Sequence, residues 1–280
     1  MIYNRVFDIM NLMTIKNTCI GLFLGVLIVA AAFVAKAESP ARELSASQKK
    51  SVQAFVDRFD TIVFGSEYDK KFANTIVYKW QGPIRIYLQY SKIKPNPKFR
   101  QFINNHLIAL RRLTKLPMAL VGVPKVAKIK IVFLPRKDMG KLKLPQAPKK
   151  LVEKLAQSGG CYFIAYKNGP GKKQQGRIHS SIIVVNAQRD IAAINHCLLE
   201  ELTQSLGLPN DSNKMRPSIF SDKDRLFEYA PIDKALIRVL YDKRMTMGVS
   251  RQQGLTLAEK IFSDVVFKNE LLATSHKPRK

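Results

Sequence analysis

The uncharged run from Cys19 to Val34 is the longest apolar stretch of this 280-residue chain, and nothing downstream approaches it. It follows Arg5 and Lys16 and ends in Ala35-Lys36-Ala37, which is the basic, apolar, small-x-small order of a secretory signal. A membrane-spanning helix needs about 20 apolar residues, so an uncleaved anchor is the poorer reading. Cleavage after Ala37 is expected, with Glu38 as the new N-terminus. Cys19 opens the run instead of closing it, which argues against a lipoprotein. These features describe an exported bacterial protein, periplasmic or secreted, with no transmembrane segment once residues 1–37 are removed.

The chain beyond the signal is long enough for one sizeable core. Residues 38–50 read as a polar, flexible leader, 51–268 as a single domain and 269–280 as a basic tail. The chain carries 47 Lys+Arg against 21 Asp+Glu, a formal charge of +26. Basic side chains are densest between Lys125 and Lys154, a stretch that would attract an anionic envelope polymer. A merely solvated surface is the competing explanation. No aromatic interleaving accompanies the charge, so no specific nucleic-acid partner is expected. Cys161 and Cys197 remain after signal removal, and an oxidising compartment lets them form a disulfide; two buried thiols are the alternative.

Apolar residues recur at helical spacing from Val52 to Val63 and from Phe99 to Leu113. Strand patterns mark Ile84–Leu88, Ile129–Leu134, Cys161–Tyr166 and Ile178–Val185, the last two joined by a Gly/Lys loop of hairpin length. The Pro- and Lys-rich segment 135–149 reads as an exposed connection, with a short helix after it. The expected class is α/β (α+β), a mixed and mostly parallel sheet with helices packed on it.

The segment richest in chemistry is a helix near residues 190–206, capped by Asp190 and stopped by Gly207-Leu208-Pro209. Its stripe Ile191, Ile194, Leu198, Leu202 and Leu206 faces a core. On another face His196, Glu200 and Gln204 succeed one another at four-residue steps, with Glu201 beside them. Strand, helix and glycine turn in this order resemble the zincin metallopeptidases, which present His-Glu-x-x-His-x-x-Gly-x-x-His. Glu201 and Gly207 match that pattern, whereas Glu200, Gln204 and Asn210 stand at the three metal-ligand positions. Ser218-Ile219-Phe220 occupies the place of a methionine turn, and Ile232 to Tyr241 is similar to the closing helix of such domains. A closer resemblance is to exported bacterial proteins grouped as domain of unknown function 2927. It is carried by Cys161-Tyr162-Phe163, by His196 through Asp211, by Ser218 through Asp222 and by Leu240-Tyr241-Asp242, and covers about Phe55 to Val249. The resemblance implies a zincin-like fold with a degenerate metal motif and no assigned activity.

Glu200, Gln204 and Asn210 offer one carboxylate and two weak neutral oxygens, a poor zinc set. His196 lies a turn upstream of the usual ligand and pairs with Glu200 alone, while Glu200, Asn210 and Asp211 would suit a hard cation better. No cofactor is expected. Glu201 is the candidate catalytic residue, activating water while Gln204 steadies an oxyanion. The competing arrangement is a clasp, in which Glu200 and Gln204 bond the backbone of the segment from Asn210 to Asp222. A peptide would then add to an edge strand such as Ile178–Val185. The expected function is a non-catalytic envelope domain that binds a peptide or an anionic polymer. The alternative is an atypical hydrolase or peptidase using Glu201 with an unusual metal or none. His106, His179 and His276 show no ligand spacing.

Overall fold

The β-branched run Ile129–Leu134 becomes the central strand of a five-stranded sheet. The computed structural model describes residues 44–66, 73–214 and 216–275. The expected signal with its Ala37/Glu38 cleavage point, His276 and the last of the expected basic tail lie outside these residues. Strands β1 (Ile84–Tyr90), β2 (Met118–Leu120), β3 (Ile129–Leu134), β4 (Cys161–Lys167) and β5 (Ile178–Asn186) are ordered β2-β1-β3-β5-β4. All neighbours are parallel except β4 and β5, which form the antiparallel hairpin. The mixed, mostly parallel α/β class read from the sequence is therefore present. β2 went unread because three residues are too few to show alternation.

Period two distributes the side chains. Ile86, Ile129, Ile131, Phe133, Ile183, Val185 and Phe163 join the larger core. It also takes in residues of α1 (Ala46–Phe59), α2 (Pro97–Thr114), α4 (Ile191–Gln204), α5 (Pro231–Leu240) and α6 (Arg251–Ser275). The opposite face gives Val132, Leu134, Val184 and Tyr162 to a second, smaller core under α3 (Lys149–Leu155) and the 3₁₀ turn Arg136–Lys141. Both faces are thus covered over much of the sheet, which explains why β3 is apolar on both faces from Ile131 to Leu134. Each fully buried aliphatic or aromatic side chain stabilises the fold by about 1.5–3 kcal/mol.

Three sequence expectations change here. The segment 135–149 is more than an exposed connection, because Met139 is buried and its carbonyl accepts the Tyr162 hydroxyl at 3.0 Å. α1 begins at Ala46, inside the stretch read as leader. There Ser45 and Gln48 form a reciprocal capping box that satisfies two helix-end donors. α6 runs to Ser275, into the segment read as tail, and stacks Phe262 on Phe55 with ring centroids 3.9 Å apart. Among the described residues, no helix is long and apolar enough to cross a membrane.

Candidate functional site

Asp190 starts α4 as its type requires, accepting the Ala193 N–H at 2.8 Å. The far end is more elaborate. A helix leaves its last carbonyls without intrahelical donors. Here the Trp80 indole N–H donates to the Ser205 carbonyl and the Tyr241 hydroxyl to that of Leu206, each at 2.8 Å. Gly207 then turns with φ +111°, and a Cβ there would lie 2.1 Å from the Tyr78 carbonyl oxygen. No other residue fits that approach.

Cys161, the first residue of β4, is disulfide-bonded to Cys197 in the middle of α4. The expected bridge therefore ties the motif helix to the hairpin. β4 is one of the two edge strands, and β5 is interior, paired with β3 on one side and β4 on the other. The edge expected at Ile178–Val185 is thus corrected to Cys161–Lys167. A hairpin places one of its strands outside, and sequence alone does not say which.

Glu201 is 5 % exposed and Gln204 2 % exposed. The Gln204 amide N–H donates to an Asp211 carboxylate oxygen at 2.6 Å, fastening the helix to the segment after its turn. The clasp therefore exists at Gln204, but through a side chain and not through backbone. Glu200 pairs along its own helix, its carboxylate 3.7 Å from Nε2 of His196, an ion pair whenever that ring is protonated. Nδ1 of His196 lies 2.9 Å from the Leu226 carbonyl and must be the donor, because a carbonyl only accepts. Burial holds the His196 pKa below its ordinary value. Asn210 turns away from both, donating its amide N–H to the Thr61 carbonyl at 2.9 Å and so holding the end of the first helical segment.

The structure thus joins His196 with Glu200 and Gln204 with Asp211, and it does not gather Glu200, Gln204 and Asn210 around one point. The zinc implied by the metallopeptidase resemblance does not fit these donors. Both amides donate to protein acceptors, and the one carboxylate of the trio is beside an imidazole whose other nitrogen is engaged. Among the described residues, no three His, Cys, Asp or Glu side chains are grouped to hold a metal ion.

Two further groups shape the region and went unread in the sequence. Asp233, fully buried at the third position of α5, accepts the Ser218 hydroxyl at 2.6 Å and the backbone N–H groups of Ile219 and Ala230 at 3.2 and 2.9 Å. It fixes the Ser218-Ile219-Phe220 turn from below, with Phe220 buried where the resemblance puts methionine. Burial raises the Asp233 pKa against those three donors. Tyr229 meets Thr203 of α4, the two hydroxyl oxygens 2.8 Å apart. An acid just inside a Pro-initiated helix was the available signal for Asp233; nothing in the sequence pointed to Tyr229. Beside α4 a cleft of about 630 Å³ opens against Asn195 and Leu199, flanked by α2 and α5. None of Glu200, Glu201, Gln204 or Asn210 lines it.

A mixed sheet whose interior strand leads directly into a capped helix, with an antiparallel edge strand bonded to that helix, defines an α/β domain built around one polar motif. The chain belongs to the family described as Protein of unknown function (DUF2927), which matches residues 53–271. Comparison with curated proteins gives no match.

Proposed function

We propose that this chain is an exported envelope protein whose metallopeptidase-like domain holds a peptide segment without cleaving it. One observation carries the reading: groups at the former ligand positions are committed to protein partners, while an edge strand of the sheet stands beside the same helix. Gln204 bonds Asp211 and Asn210 bonds Thr61, so both amides act as fasteners. β4, bonded to α4 through Cys161–Cys197, offers the edge to which an extended peptide adds by main-chain hydrogen bonds.

The second reading, an atypical hydrolase, draws on the burial of Glu201 at the general-base position of the motif. Protein purified from its native compartment separates the two. Elemental analysis, a broad peptidase screen with Glu201→Gln as control, and hydrogen exchange across β4 with a peptide library form the test. Protection of alternate β4 amides without turnover is expected. Stoichiometric metal together with activity lost in Glu201→Gln would overturn the non-catalytic reading.

A further inference from the structure

The outer sheet face is covered by α3 only in part, and beyond that cover lies a cleft of about 270 Å³ over β3, β4 and β5. Lys128, Lys130, Tyr166, His179 and Ser180 line it, and no Asp or Glu does. Register explains the gathering. Lys130 pairs with Ile182 across β3 and β5, and Tyr166 pairs with Ser180 across the hairpin, so residues of three adjacent strands share one sheet face within one two-residue repeat of each other.

Two properties of this cleft are unsatisfied within the protein. Lys128 lies in the field of Arg85 and Arg177, and burial together with these two like charges depresses its pKa. The Tyr166 hydroxyl is shielded from solvent and has no hydrogen-bond partner among the described residues. A buried hydroxyl without a partner is destabilising, and an acceptor that reached it would relieve that cost. The imidazole of His179 and the Ser180 hydroxyl, 3.1 Å apart, add further hydrogen-bonding groups at the rim.

We infer that this cleft is a binding site for a phosphate group, supplied by a soluble phosphate ester or by a phospholipid headgroup. The lysines Lys128 and Lys130 and the hydroxyl-bearing Ser180, all lining this one cleft, match an acceptor with several anionic oxygens. The volume suits one such group and part of what it is esterified to. The site is independent of the α4 motif, so its failure would leave the peptide-binding reading where it stands.

The test titrates the full chain with inorganic phosphate by calorimetry at fixed ionic strength. In parallel it measures sedimentation with phosphatidylcholine vesicles that contain or lack phosphatidic acid. Saturable phosphate binding is expected, weakened about tenfold in Lys130→Gln, the scale of one lost charge-assisted hydrogen bond. Tyr166→Phe should weaken it less, and Lys260→Gln on α6, which removes the same charge elsewhere, should leave it unchanged. Lys128→Gln replaces Lys130→Gln if the latter does not fold. Vesicle binding that requires phosphatidic acid and is lost in Lys130→Gln identifies the headgroup as the source. Phosphate binding without such vesicle binding identifies a soluble ester. Absence of saturable phosphate binding, or equal weakening by Lys260→Gln, overturns the site.

Discussion

Gln204 and Asp211 are seven positions apart in sequence and 2.6 Å apart in space, with the glycine turn between them. If this contact is what holds the turn, Gln204→Ala and Asp211→Ala should be non-additive. A double-mutant cycle read by urea unfolding should give a coupling of roughly 0.5–3 kcal/mol. Strictly additive losses would show that the contact holds nothing. Residues of this kind were only half legible. The spacing of His196, Glu200 and Gln204 announced a polar face, and the structure keeps the first two together. It could not announce that Asn210 turns back toward Thr61, because that partner lies 149 positions away. Gly207 was legible as a helix stop, but its closeness to Tyr78 was not, since a sequence shows which residue permits a turn and not what crowds it. Asp233 was missed for a related reason: Ala230 is local to its helix, but Ser218 and Ile219 come from 15 and 14 positions upstream in the long connection between α4 and α5.

At the scale of elements, the disulfide joins β4 to α4 across a separation of 36 residues. Chain-entropy reasoning gives about 3–4 kcal/mol for a loop of this length, so reduction should lower the urea midpoint correspondingly. An unchanged midpoint would mean that the hairpin and helix dock without it. The α2–α4 contact has a pH dependence of its own. His106 is 5 % exposed and sits 2.9 Å from the Asn195 side-chain oxygen, and burial lowers its pKa from 6.5, as it does for His196. The unfolded chain therefore binds more protons than the folded one below about pH 7. Stability contributed by the neutral rings should be present above pH 6.5 and be lost as pH falls through the lowered values. The Tm of wild type should drop between pH 7 and 5, and His106→Gln should flatten that slope; an equal slope in both proteins would exclude His106 as a source. Elements with long periodic patterns, such as α2 and α4, were readable. α6 was also written in the sequence, with Leu255, Ala258, Ile261 and Phe262 at helical spacing. Gly254 within its first turn obscured that pattern, and the structure places this glycine where the helix passes the Phe64 ring, 2.9 Å from where a Cβ would be.

For the molecule as a whole, the charge of +26 makes ionic strength the first variable to control. On heparin the protein should be retained at low salt and released steeply as salt rises, the behaviour of multiple cation–polyanion contacts. Flow-through at low salt would mean that the basic side chains act as a dispersed, solvated surface. Export belongs to the same scale: intact mass of protein recovered outside the cytoplasm should begin at Glu38, and a mass that still includes Met1 would reject cleavage.

The chain has a single tryptophan, and its indole N–H is held by the last turn of α4. Intrinsic fluorescence excited at the red edge is therefore a spectroscopic gauge of that one helix end, with no label needed. A shift in emission maximum on reduction, acidification or addition of a peptide would register motion transmitted to the motif, while a silent spectrum during binding would confine the event to another part of the surface.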